Sequence, residues 1–312
     1  MSKFFDRKVI LQKIETTEGT DAAPVVGTDA ILTRNYAPNV LDMESRTRNL
    51  DLPFFGARPQ VPVALKRGAT FEIDMAGAGA ATTVPAWMKV NRIAGFDAGV
   101  VNGVISVIQT PISAAVPSAT HWAYIDDALL KAIGCRATMG IRMADDEFPF
   151  FTYTVQGRAP TTIFEEATPG TPTVTAFKDP VIACTENTTF TLDGFALPLR
   201  SLDLDSNNDL AFRSLIGPQD RVTWRNRAWG GRIMGELPNL ASKDYFAKVR
   251  PGTTMALSVV HGTVAGNIVK IDAPKVQIIG MDIPEEDGIA MLSMDVILQP
   301  NAGNDEIRLT SL

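Results

Sequence analysis

Two stretches of this chain match each other without a gap, and this repetition constrains the fold more than any other feature. Residues 40–56 read VLDMESRTRNLDLPFFG and residues 201–217 read SLDLDSNNDLAFRSLIG. Leu41/Leu202, Asp42/Asp203, Ser45/Ser206 and Gly56/Gly217 are identical, and Met43/Leu204 and Glu44/Asp205 keep their character. A later match pairs Ser118 with Ser258, His121 with His261, Gly140 with Gly280, and the acidic runs 145–147 and 285–287. Both histidines of the chain fall on it. The first copy carries roughly 20 extra residues between about 77 and 115. Such a chain is expected to consist of two tandem modules, 1–165 and 166–312, and to assemble with pseudo-symmetry.

With 312 residues, each module is long enough to bury its own core. The net charge of −6 argues against a nucleic-acid binder, which needs a basic stripe to neutralise phosphates. It leaves room for a surface past which nucleic acid slides. The opening MSKFFDRK lacks the apolar run of a secretory signal, and the most apolar stretch, 98–125, is broken by Asn102, Gln109, Pro111 and Pro117. No secretion and no membrane are expected. Cys135 and Cys184 have no metal-type spacing and read as free thiols.

Strand signals dominate. In 70–76 Phe71, Ile73 and Met75 alternate with Glu72 and Asp74, and period-two runs recur at 151–155, 221–225, 232–237 and 291–298. The acidic runs near 145 and 285 read as hairpin tips. Each copy has one helix candidate: 85–95, opened by Pro85 and closed by Gly95, and 242–249, with Ser242 as a cap and Gly252 beyond its end. TPGTPT at 168–173 marks the boundary near 165. The expected fold class is therefore mainly β: two tandem β-sandwich or barrel modules, each with one short flanking helix.

Little in the chain looks catalytic. There is no nucleophile elbow, phosphate loop, dinucleotide fingerprint or HExxH. Asp203 to Asn207 imitates the start of a calcium loop, but Asn208 stands where glycine is needed and Ser214 where the glutamate should be. His121 and His261, one per copy, read as scaffold. The pairs Asp126-Asp127 and Glu165-Glu166 point to opposite faces of an extended chain and suit paired acid–base work poorly. Neither cofactor nor metal is expected. The connections 44–60 and 205–220 are long and charged, carrying Arg46, Arg48, Arg58, Asp205, Asp209, Arg213 and Asp220. Loops of that length in compact β modules are usually functional, and Leu52, Phe54, Phe55, Leu215 and Ile216 give these something to dock with.

ETTEGTDAAP (15–24), DAILTRN (29–35), PFFG (53–56), MAGAG (75–79), PAW (85–87) and IAGF (93–96), in this order and spacing, resemble the tail tube proteins of long-tailed (siphophage-type) bacteriophages. The match covers about residues 13–100. The resemblance implies a structural, non-enzymatic virion tail protein, assembled in the bacterial host cytoplasm. It also implies a β-sandwich with a flanking helix, six copies of which ring a channel, and a long loop that reaches the next ring. Tape-measure, tail-terminator and distal-tail proteins are the implied partners. The second copy lacks the PAW element, so two modules per chain lead to a different expectation: a trimeric, pseudo-hexameric ring, with a true hexamer as the alternative. Inter-ring contacts fall to the residues of 44–60 and 205–220 named above. Glu72 and Asp74 become possible lumen-facing acids past which DNA moves without specific binding. A β-sandwich binding module of the baseplate or of a receptor contact is the competing reading, and a carboxylate hydrolase a more remote one.

Overall fold

The computed structural model describes residues 3–216 and 220–312; Gly217, which ends the second repeated segment, lies outside the described residues. The first half runs β1 (Lys8–Ile14), β2 (Ala30–Ile31), β3 (Arg34–Thr47), β4 (Gln60–Asp74), helix α1 (Ala86–Asn91), β5 (Val100–Asn102) and β6 (Ser106–Gln109). It continues with β7 (Ala119–Ile125), β8 (Ala128–Ala144), β9 (Phe150–Arg158) and β10 (Glu165–Glu166). The second half has β11 (Thr188–Leu192), β12 (Leu199–Asp205), β13 (Asp209–Arg213), β14 (Arg221–Asn226), β15 (Gly230–Glu236) and helix α2 (Phe246–Val249). It ends with β16 (Met255–His261), β17 (Val269–Asp282), β18 (Glu285–Glu286), β19 (Ile289–Leu298) and β20 (Arg308–Ser311). The fold is mainly β, with antiparallel sheets and one short helix in each half, as its alternating sequence predicts.

Period-two burial explains the strands. In β8 Ile133, Cys135, Ala137, Met139, Ile141 and Met143 are buried, and Arg136, Thr138 and Arg142 alternate with them on the opposite face. Phe71 and Ile73 of β4, and Met75 just beyond it, do the same beside Glu72 and Asp74. The acidic runs are hairpin tips, with Asp146 and Asp287 in the left-handed region that short acidic side chains tolerate (φ 59° and 51°). Helix α1 follows Pro85, buries Trp87, Met88 and Val90, and continues as a tighter turn to Gly95 at φ 89°. Trp87 fixes it to the sheet: its Nε1 donates to Ala76 O (2.7 Å), and its ring lies 4.7 Å from that of Phe151. The second helix is shorter than expected. Ser242 does not cap it; Asp244 Oδ1 accepts the Ala247 amide at 3.0 Å instead.

Strand pairing follows the same order in both halves. The first runs β1–β7–β8–β9–β4–β3 and the second β11–β16–β17–β19–β15–β12. His121 of β7 faces Gln12 of β1, and His261 of β16 faces Thr188 of β11. The residue match near Asp42 fails as a register match. Gly140 faces Thr152, which faces Glu72, which faces Arg34. Gly280 faces Asp295, which faces Arg232, which faces Asp203. The station of Asp203 is thus occupied by Arg34 in the first half. Asp42 lies further along β3, opposite Lys66.

The halves share one apolar core, and two strand pairings sew them together. β12 lies along the end of β8, and β20 takes β6. The boundary near 165 falls just ahead of 167–187, a stretch without helix or strand. Glu15, within the ETTEG motif, is a buried clamp: it accepts from the amides of Gly19 and Gly134 (2.8 Å each), Ser118 Oγ (2.6 Å) and Thr120 Oγ1 (3.0 Å).

Candidate functional site

The face of the sheet turned away from the core carries a band of charge across both halves. Arg34 binds Glu72 and Asp74, each at 2.9 Å. Arg142 binds Asp205 at 2.7 Å and lies 3.6 Å from Asp203; Arg232 binds Asp295 at 2.9 Å. Each guanidinium on this band is held by carboxylates of neighbouring strands. Partial burial lifts the Asp203 carboxyl above its ordinary value, with Arg142 pulling it back down. Gly140 belongs to this arrangement. A Cβ there would come within 2.4 Å of Asp205 Oδ1 and 2.6 Å of Thr152 Oγ1, so a side chain would crowd the Arg142–Asp205 pair. Exposed ion pairs contribute little to stability. Here they cancel positive charge along a wide face.

Two hairpin arms leave the sheet. The first is formed by β3 and β4, with its tip at 48–59. Arg46 leans on Glu44 at 3.5 Å, the Arg48 amide donates to Pro59 O, and Arg58 Nη1 is buried without a hydrogen-bond partner among the described residues. Phe54 and Phe55 are 62% and 105% exposed, with Leu50 and Leu52 beside them in sequence. Aromatic side chains this bare on a monomer mark a surface that something else covers.

The second arm differs from the simple inter-strand connection expected over 205–220. It is a hairpin of β13 and β14, kinked away from β12 at Asn207 (φ 44°), and its base is built into the first half. Asn208 Nδ2 donates to Ala94 O and Ala137 O, each at 3.0 Å, and Arg136 donates to Val222 O. The Trp224 ring covers Gly95, where a Cβ would sit 2.6 Å from it. Asp205 therefore lies in the sheet face, and Asp209 is tied to Arg225 at 2.5 Å across the arm. Arg213 faces Arg221 in the ladder, Leu215 and Ile216 are bare at the tip, and Asp220 is half-buried. Trp224 and Asn208 were the signals for this docking. Neither stands out without the partner surface.

The acid pairs 126–127 and 165–166 have structural partners. Asp126 pairs with Arg7 at 2.8 Å, Asp127 and Glu166 with Lys3, and Glu165 with Lys131 at 2.7 Å. The calcium-like stretch is strand β12 and its kink, with Asp203 and Asp205 turned to Arg142. No group of three or more His, Cys, Asp or Glu among the described residues could hold a metal ion.

A family model described as phage tail tube protein matches residues 6–297. The chain belongs to the phage tail tube protein family. The match spans both halves of the chain. Membership makes the chain a structural component of a virion tail and points away from enzymatic activity. No curated protein is a significant match to it.

Proposed function

We propose that this tail tube protein assembles three chains to a ring, that the rings stack into a tube, and that the tube is the conduit for genome delivery. The observation that carries this reading is the repeated strand order, which leaves one half-sheet open at each end of the chain. β3 pairs only with β4, and residues 277–282 at the end of β17 pair only with β19, among the described residues. An unpaired edge is an aggregation hazard unless the native assembly uses it. Two strand sets per chain and one open edge at each end let three chains close a ring of six sets.

In this ring the charge-clamped face lines the lumen. DNA carries about one charge per 1.7 Å of axis, so free arginines along a channel would grip it at many points. Arginines already held by Glu72, Asp74, Asp203, Asp205 and Asp295 cannot, and a wall of this kind lets the genome slide. The arms extend the ring along the axis. Family resemblance adds tape-measure, tail-terminator and distal-tail proteins as partners within and at the ends of the tube, with assembly in the host cytoplasm.

The first arm supplies the stacking contact. Burying an aromatic side chain contributes about 1.5–3 kcal/mol, repeated for every chain in a ring. The double variant Phe54→Ala/Phe55→Ala is expected to stay soluble and folded while tube growth, followed by light scattering, is lost. Tubes of normal length from that variant would remove the arm from the stacking contact.

A further inference from the structure

The chain contains one finished copy of the seam that the proposed ring needs. Where β12 meets β8, Ser201 faces Ala144, Leu202 faces Met143, Asp203 faces Arg142, Leu204 faces Ile141 and Asp205 faces Gly140. Leu202 and Leu204 are fully buried, and Arg142 binds both aspartates across the join. Along the ladders Arg34 holds the station of Asp203. If Gly280 stands for Gly140, Asp282 stands for Arg142.

Both counterpart edges are open. Beyond Val276, β17 has no strand among the described residues on the side that β16 occupies earlier; Ile279 there is 60% exposed, and Ile283, just past its end, 50%. At the start of β3, Thr33 and Asn35 flank Arg34 as the leucines flank Asp203, and the nearby Leu32 and Val40 are about half exposed. Asp282 is exposed and makes no salt bridge among the described residues; its carboxylate accepts the amide of Ile283 (2.9 Å), and its field reaches Arg232, which Asp295 already binds. Arg34 and Asp282 are opposite in sign, and Arg34 already binds Glu72 and Asp74 as Arg142 binds two aspartates in the internal seam.

We infer that β3 of one chain pairs antiparallel with β17 of the next in the register of the internal β12–β8 seam, so that Arg34 of one chain faces Asp282 of its neighbour. This rests on the ring reading and adds the partner edge, the direction and the register. The inter-chain contact is the internal one with its charges exchanged: the internal seam has arginine on β8 and aspartate on β12, and the inter-chain seam has aspartate on β17 and arginine on β3. Three internal and three inter-chain seams then alternate around the ring.

Cysteine pairing tests the register. Directly opposed residues in an antiparallel pair have Cα atoms about 4.5–5.5 Å apart, within the range a disulfide spans. Two chains, each carrying Cys184→Ser, would be made, one with Arg34→Cys and the other with Asp282→Cys. Cys135 is fully buried and can stay. The two are co-assembled with an excess of the Cys184→Ser chain, so that rings form even if a variant alone assembles poorly, and are then oxidised mildly. A cross-linked dimer that needs both variants and appears only in tubes is the expected result. Tubes in which Asp282→Cys instead links to Leu32→Cys or to Val40→Cys would overturn the register and leave the ring standing. Failure of the unmodified chain to form any ring would overturn both.

Discussion

The double variant Ile279→Lys/Ile283→Lys is expected to fold normally and to form no tubes. Both side chains are half exposed, Ile279 on the open edge of β17 and Ile283 just past its end, so the monomer loses little by the change. The assembly loses more. Burying the remaining half of each isoleucine contributes about 2 kcal/mol per seam, or about 6 kcal/mol over the three inter-chain seams of a ring. At about 1.4 kcal/mol per tenfold, that moves assembly by more than a thousandfold. The lysines also act in a second way, since charged side chains on an edge strand are a common means of preventing strand addition. Thermal melting of the monomer should stay within a few degrees of the parent, while light scattering at concentrations where the parent polymerises stays flat. Parent-like tubes would show that this edge is not part of the ring.

The second large effect is on acid stability. His121 is 2% exposed and stacks on Phe71 and Tyr36, with ring centroids 5.7 and 5.9 Å away; its Nε2 lies 3.1 Å from the Tyr36 hydroxyl. Its Nδ1 has no hydrogen-bond partner among the described residues. Burial pulls its pKa down to about 4. The nearby Tyr36 hydroxyl and Cys135 thiol are pushed up by the same burial and stay neutral. A histidine whose folded pKa lies below its unfolded value of about 6.5 supports the fold fully above that value. The support is lost as pH falls from about 6.5 towards 4, and amounts to about 3 kcal/mol at about 1.4 kcal/mol per unit. His121→Phe keeps the stack and removes the proton site. The stability difference between parent and variant should therefore shift by about 3 kcal/mol between pH 7 and 4 in denaturant titrations, with the parent losing more. Parallel pH curves would mean that His121 is protonated in the fold at little cost.

Much of this architecture was legible in the sequence because it is local. Phe71, Ile73 and Met75 alternate with acids, Pro85 and Gly95 bracket a helix, and Asp146 and Asp287 mark hairpin tips. Register was not legible. The gapless match of Leu41-Asp42 to Leu202-Asp203 is a likeness of letters. One pair lies out on the first arm and the other in the seam. Arg34, eight residues before Asp42, holds the station of Asp203, and the irregularities along β3 and at Ile279 in β17 shift later pairings further, none of which a likeness of letters encodes. The docking of the second arm was hidden for a related reason. Trp224 and Asn208 find their partners Gly95, Ala94 and Ala137 only after the two halves have met. The acids Glu72 and Asp74 were found by alternation alone, but their binding to Arg34 depends on a strand pairing that alternation does not encode.

Electron cryomicroscopy of tubes grown from the purified chain tests the central claim most directly. The account predicts rings of three chains with pseudo-sixfold symmetry and Arg34, Arg142 and Arg232 facing the lumen, each against its carboxylates. Six chains to a ring, or a tube with this face turned outward, would contradict it.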